Sequence, residues 1–315
     1  MGDQIFISIS PDRTDFFRWN GDNLVQALRE KAGEGSRIGG IYLGRVTKVE
    51  PSLNAAFVEI GLDKPGLLPL KRQGVRLSEG DALIVQVRRD AHDEKGVRLT
   101  ASIKTTVEVK AQGKQPPALL VAPPTLWQRG LEALEVVDSI TCDRRVDVPI
   151  IEAWCARVRP AFAGKIAFVT ERDWIPSRAD IKDAIAEGLD EVVPLPGGGE
   201  LLIEPVRTLT AIDVNSAGAN QEKGIERTAL SVNIAAAREV PRQLALRNLG
   251  GTIVIDFIDL ENRNKREQVL EALREAAGID PAIEWVGNMS RLGLVEISRR
   301  RNGPTLAEMW RGELS

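Results

Sequence analysis

The chain has 315 residues, 43% of them apolar, and a formal charge of −3, so it can bury a full core and by length holds about two domains, or one domain with an insertion. A single histidine, His92, and two widely spaced cysteines, Cys142 and Cys155, argue against a Ser-His-Asp relay, a His-rich zinc site and a thiolate cluster. Both cysteines read as packed or idle thiols in a reducing compartment, and carboxylates working with a divalent cation are what remains for catalysis.

At the N-terminus, Ile5-Phe6-Ile7-Ser8-Ile9-Ser10 alternates like a strand and is too short and too polar for a signal peptide. No apolar run approaches the roughly 20 residues of a membrane span, so the expectation is a cytoplasmic protein with no membrane partner. Residues 39–104 read as a compact all-β insert, with strands over 41–49, 55–60, 82–88 and 97–103 and a turn at 50–54 that contains Pro51. A charged turn around Glu94 separates the last two strands and puts His92 on the surface. Short strands at this spacing fit a small barrel, a fold that binds single-stranded nucleic acid with a basic groove and an exposed aromatic. The insert carries 11 Lys/Arg against 8 Asp/Glu, a local excess of +3. Phe57 either stacks on a base or fills the barrel core, and Arg45, Lys48 and Lys95 are the candidate phosphate partners.

Residues 105–124 lose periodicity and gain Lys, Gln and Pro, as a linker does. Residues 126–134 and 150–158 then show helical spacing, and 165–170 looks like a short strand. Gly197-Gly198-Gly199 precedes a strand, whereas a phosphate loop would open a helix, so it reads as a hairpin turn. The last third is a β-α-β arrangement. A strand ends at Asp213, residues 225–246 are helical with Pro241 kinking the helix or opening a second one, Gly250-Gly251 breaks it, and 252–257 is the next strand. A helix over 265–277 and strands near 285–289 and 292–298 complete a mixed sheet.

Two acids in this last third, Asp213 and Asp256, each follow an apolar strand-like run and stand 43 positions apart. An acid at the point where a buried strand meets its loop is anchored on one side and free to face a ligand on the other. With Asn215 beside the first, the pair can supply the hard oxygen ligands that Mg²⁺ prefers. The plain alternative makes Asp213 an Asx-turn residue and Asp256 a helix cap. Strand parity sends Asp259 to the face opposite Asp256, unless the strand ends at Phe257 and lets Asp259 turn inward.

Six ordered segments resemble the ribonuclease E/G family: Gly40-Ile41-Tyr42-Leu43-Gly44-Arg45-Val46, Glu50-Pro51-Ser52-Leu53-Asn54-Ala55-Ala56-Phe57-Val58, Lys95-Gly96-Val97-Arg98-Leu99-Thr100, residues 209–216, residues 246–259, and Ser290-Arg291-Leu292-Gly293-Leu294-Val295-Glu296-Ile297-Ser298-Arg299. The resemblance covers most of the chain. It implies a mixed α/β (α+β) fold with an RNase H-like subdomain in two parts, 1–38 and 125–188. An S1-type OB-fold barrel over 39–104 interrupts it, 105–124 is the linker, and a DNase I-like catalytic subdomain with a mixed sheet spans 189–315. It also implies a Mg²⁺-dependent endoribonuclease of RNA processing or decay that acts on single-stranded RNA, with Mn²⁺ as an alternative ion. Carried over by position, the family's metal-binding aspartates fall on Asp213 and Asp256, its catalytic asparagine on Asn215, and a further acid on Asp259. Phe57 and Lys95 match family RNA contacts, and Leu67 stands where the family often has a second aromatic.

The departures carry expectations of their own. Family members usually hold a long 5′-monophosphate-sensing segment where this chain has only its Pro/Gln linker, so the sensor is expected to be absent. The Cys-x-x-Cys zinc link that joins family subunits is not present before the chain ends, so neither zinc nor a zinc-linked tetramer is expected, which leaves a homodimer through the catalytic subdomain. Arg207 replaces an acid that the family usually has shortly before the first aspartate. A protein that kept the fold and binds RNA without cutting it is the competing function.

Overall fold

The computed structural model of the protein describes residues 2–70, 77–91, 96–103, 109–170, 178–216, 224–301 and 303–310. The chain divides into two compact units, Lys31–Ala133 and, on either side of it in sequence, Met1–Glu30 with Leu134–Ser315.

The N-terminal strands β1 (Asp3–Ile9), β2 (Arg13–Asn20) and β3 (Asn23–Lys31) lie side by side, with β1 and β2 antiparallel. The inserted unit follows with β4 (Ile41–Glu50), β5 (Ala55–Glu59), β6 (Gly66–Pro69), β7 (Ala82–Arg89), β8 (Arg98–Thr100), β9 (Ala118–Val121) and the helix α1 (Leu126–Glu132). Its strands run in the order β5-β6-β8-β7-β4, and β4 pairs again with β5, which closes a five-stranded barrel and leaves it no free edge. The close crossing of β4 and β5 requires a glycine: a Cβ on Gly44 would stand 2.5 Å from Cγ1 of Val58. The strand β9, inside the stretch read as linker, adds to β4 because Ala118-Leu119-Leu120-Val121 is a short apolar run free of proline.

After the barrel, β10 (Val137–Cys142) joins β1 in parallel, α2 (Val148–Val158) crosses over, and β11 (Ile166–Phe168) pairs in parallel with β10. The result is a five-stranded mixed sheet in the order β11-β10-β1-β2-β3. Cys142 and Cys155 are buried free thiols, and burial pushes both up to about 11, which keeps them protonated and inert.

The helix α3 (Arg178–Leu189) leads into the sheet that matters most for function. Its elements are β12 (Val192–Pro194), β13 (Glu200–Pro205), β14 (Thr210–Asn215), α4 (Ile225–Leu246), β15 (Gly251–Asp256), α5 (Arg263–Ala277), β16 (Ile283–Val286) and β17 (Leu294–Arg299), and α6 (Leu306–Trp310) ends the described chain. The strand order is β12-β13-β14-β15-β17-β16. Only β14 and β15 are parallel, because only they are joined by a long crossover, the helix α4. That helix is a single 22-residue element with Pro241 buried inside it, without the break that the proline suggested. The glycine turn at 197–199 closes the β12–β13 hairpin, with all three glycines at positive φ.

Every second residue of the sheet faces a core that α4 and α5 complete: Leu201, Ile203, Ile212, Val214, Ile253, Ile255, Val295 and Ile297. The alternate residues are half-buried or exposed and form the sheet's open face, where Asp213, Asn215, Thr252, Asp256, Glu296 and Ser298 lie among Leu202, Val254 and Leu294. No helix of the described residues is long and apolar enough to cross a membrane.

Candidate active site

Asp213 and Asp256 lie directly opposite one another where β14 and β15 pair in parallel. Their neighbours Ile212, Val214 and Ile255 point into the core, so both carboxylates stand on the open face. Asp213 is half-buried and Asp256 exposed, and Asn215, two residues on from Asp213, shares its face. Neither acid takes the plain role: β14 continues beyond Asp213 to Asn215, and Asn262, not Asp256, caps α5 by accepting from the backbone N–H groups of Asn264 and Lys265.

Asp259 also reaches this site. β15 ends at Asp256, so parity is lost one residue earlier than the sequence suggested. A Cβ placed on Gly293 would lie 3.6 Å from Oδ1 of Asp259 and 4.0 Å from Oδ1 of Asp256, so the two carboxylates converge over that glycine. Gly293 is buried with φ +82, and Ser290 holds its turn: the Ser290 Oγ accepts from the N–H groups of Leu292 and Leu294. A side chain at 293 would both strain the backbone and enter the space between the acids.

The loop that carries Asp259 is held from below. Asn233 on α4 is fully buried, and its side-chain amide donates to the Ile258 carbonyl at 2.7 Å while its carbonyl accepts from the Ile258 N–H at 3.0 Å. Arg266 of α5 donates to the carbonyl of Leu260, the next turn of the same loop. This two-point clamp on Ile258 sets the direction of the chain between Asp256 and Asp259. Sequence reading missed it, and its only trace was a polar residue at a core position of a largely apolar helix face that also buries Thr228 and Gln243.

The electrostatics follow from the crowding. Desolvation at the sheet surface, then the negative charges of Asp213 and Asp259, push the Asp256 carboxyl above the ordinary carboxylate range. Among the described residues no cation pairs with any of the three acids. Uncompensated hard oxygens on one sheet end suit Mg²⁺, which needs one or two carboxylates and completes its shell with water and phosphate. Among the described residues no group of three or more His, Cys, Asp or Glu side chains is gathered tightly enough to cage an ion.

The barrel has a second candidate surface. Phe57 is half-buried between the core residues Ala56 and Val58 and does not fill the barrel core. Across the strands it pairs with Lys48 on one side and Leu67 on the other, and Leu67 neighbours Arg98. The outer face therefore carries a row of cation, aromatic, aliphatic and cation. Lys48 also pairs with Glu50 at 2.9 Å, and Arg45 is exposed one turn of the pleat away. Arg98 was not singled out from the sequence; the register of β6 and β8 places it here. Lys95 and His92 lie outside the described residues.

A model of the ribonuclease E/G family matches residues 79–302. Ribonuclease E of Escherichia coli is 30% identical over 92% of this chain and 36% of its own length. Ribonuclease E of a Nostoc species is 31% identical over 92% of this chain and 55% of its own, and Ribonuclease G of Escherichia coli is 27% identical over 95% of this chain and 80% of its own. The chain thus spans little more than a third of the first of these relatives. That alignment runs over 379 residues although it takes in 92% of a 315-residue chain, so the relative holds residues within the aligned span that have no counterpart here.

Two outcomes are expected from the site's geometry. Replacing Asn233 with Ala leaves the part-buried N–H and C=O of Ile258 without this partner and should destabilise the protein in urea unfolding, by at most about 2–6 kcal/mol, since each orphaned buried group costs about 1–3 kcal/mol. The second concerns charge. Because the folded Asp256 holds its proton more tightly than an unfolded one, its ionisation lowers stability as pH rises from the ordinary carboxylate value through the raised folded value. Asp256→Asn should therefore raise the Tm of the metal-free protein at pH 7 and leave it unchanged near pH 3; a lower Tm at pH 7 would mean that the carboxylate is paired.

Proposed function

The chain belongs to the ribonuclease E/G family, and from that premise we propose that it is a Mg²⁺-dependent endoribonuclease that hydrolyses phosphodiester bonds of single-stranded RNA. The observation that carries the proposal is the in-register parallel pairing of Asp213 with Asp256 on an open sheet face. These two side chains would hold the ion, Mg²⁺ or in its place Mn²⁺, which when bound supplies charge stabilisation at the phosphate and acidifies a water. Asn215 shares the face of Asp213 and has both a donor and an acceptor, so it orients the phosphate or the water. Asp259 adds negative charge beside Asp256 and serves as a further acid. The barrel row of Lys48, Phe57 and Arg98, with Arg45 nearby, supports the binding of unpaired nucleotides by stacking and phosphate contact, and Lys95 is assigned to the same surface by resemblance. A homodimer through the catalytic subdomain remains part of the proposal, and a 5′-monophosphate sensor does not.

Cleavage of an unstructured oligoribonucleotide tests this directly. Wild-type protein should cut it with Mg²⁺, and Asp213→Asn or Asp256→Asn should lower kcat by at least about a hundredfold while binding persists. A readout independent of activity is the Tm, which Mg²⁺ should raise for the wild type and leave unchanged for the double variant. Inactivity of the wild type with both Mg²⁺ and Mn²⁺, alongside intact RNA binding, would make the protein a non-catalytic RNA binder. Cutting rates on 5′-monophosphorylated and 5′-triphosphorylated forms of one substrate should agree within about twofold, a difference of about 0.4 kcal/mol; a large preference for the monophosphate would reinstate the sensor.

A further inference from the structure

The open face of the acid-bearing sheet ends at its edge strand β16 in an exposed tryptophan. Trp285 lies opposite Ser298 of β17, whose neighbours Ile297 and Arg299 are buried, so the indole stands on the same face as Asp213, Asn215 and Asp256. It is 54% exposed, while the other described tryptophans, Trp19, Trp127, Trp154 and Trp310, are all buried. The ring does not stand upright in solvent. A Cβ on Gly287 would meet its Cη2 at 2.8 Å and its Cζ3 at 3.3 Å, so the indole lies down over the glycine two residues on, with its outer side open. Gly287 donates its N–H to the Glu296 carbonyl, and Glu296 is two residues along β17 from Leu294, the partner of Asp256. The ring thus extends along the sheet toward the acids. Strand spacing and rise put Gly287 about 12 Å from Asp256, a few nucleotides of a single strand.

The geometry points to Trp285 as a base-stacking platform for the RNA strand that crosses the acids, an inference that rests on the nuclease reading of that face. A flat indole with an open side is what an unpaired base stacks on, and such stacking contributes about 1–3 kcal/mol per base. The surroundings select a base over a phosphate: Glu296 is exposed beside Gly287 and, like the acids, repels a phosphate that no ion bridges. Gly287 is part of the device, because any larger residue there would lift the ring off the sheet.

Two measurements decide it. In the cleavage-deficient Asp256→Asn background, an unstructured oligoadenylate should quench a fluorescence component that is missing from the same protein carrying Trp285→Phe; equal quenching with and without Trp285 overturns the proposal. In the otherwise wild-type enzyme, Trp285→Ala should raise KM for a single-stranded substrate roughly 5- to 150-fold with kcat changed far less, and Trp285→Phe should keep most of the affinity. One abasic nucleotide a few positions from the cut should reproduce the Trp285→Ala effect and add nothing to it. An unchanged KM, or a change in oligomeric state without a change in KM, assigns the ring to a protein contact and overturns the proposal. If the wild type cuts nothing, the nuclease reading has failed, and the quenching experiment still decides whether a base stacks on Trp285.

Discussion

Two parallel strands carry an aspartate at the same level, which sets like charges side by side on one face of a sheet. Neighbouring strands are about 4.8 Å apart, so the repulsion is built into the fold and cannot relax by a small shift of the backbone. The opposite face enforces it. Ile212 and Val214 on β14, with Ile253 and Ile255 on β15, are all buried against α4 and α5. A slip of one residue would bury an aspartate and expose an isoleucine, so the core that stabilises the sheet also fixes the level of the acids. Desolvation is the larger cause of the raised affinity of Asp256 for its proton, and the register adds the repulsion of Asp213 to it.

The same topology supplies the support beneath the acids. Parallel neighbours cannot be joined by a hairpin, and the crossover has to return over the sheet. Here the crossover is α4, which packs over the core face and brings Asn233 to the backbone of Ile258. A buried amide is worth its desolvation only when both ends are satisfied, and the backbone N–H and C=O of the single residue Ile258 satisfy both. Asp259 joins Asp256 because this clamp turns the chain out of strand geometry directly after β15.

Much of this was legible in the sequence, because apolar periodicity reports burial. The apolar runs leading to Asp213 and Asp256 marked both strands, and the helical spacing of 225–246 marked the crossover between them. The four barrel strands first identified were marked in the same way, and β9 was not, since a four-residue run inside a Pro- and Lys-rich stretch has no period to read. Pro241 suggested a break, yet the helix runs through it, because tertiary burial of Val240, Pro241 and Leu244 outweighs one lost backbone hydrogen bond. Asp259 had two readings in the sequence because parity holds only while the strand lasts, and the backbone just beyond β15 is held by Asn233, 23 residues earlier in the chain than Asp256. Arg98 and Trp285 were invisible as site residues for one reason: their meaning comes from cross-strand register, which pairs residues that sequence order keeps apart.

The charges of the two units divide the work that the proposed activity requires. An open sheet face with Asp213, Asp256, Asp259 and Glu296 cannot attract a polyanion by its own field, since every described acid at its centre is without a basic partner. The barrel insert, with its excess of +3 and its exposed Arg45, Lys48 and Arg98, supplies cations that could meet phosphate. What the acidic face can offer a strand is an ion held between carboxylates and a π surface for a base, and neither depends on net positive charge. Phosphate contact through the barrel cations would weaken steeply with salt, whereas the contribution of Trp285, being dispersion and apolar burial, would persist at high ionic strength. Salt titration separates these two contributions.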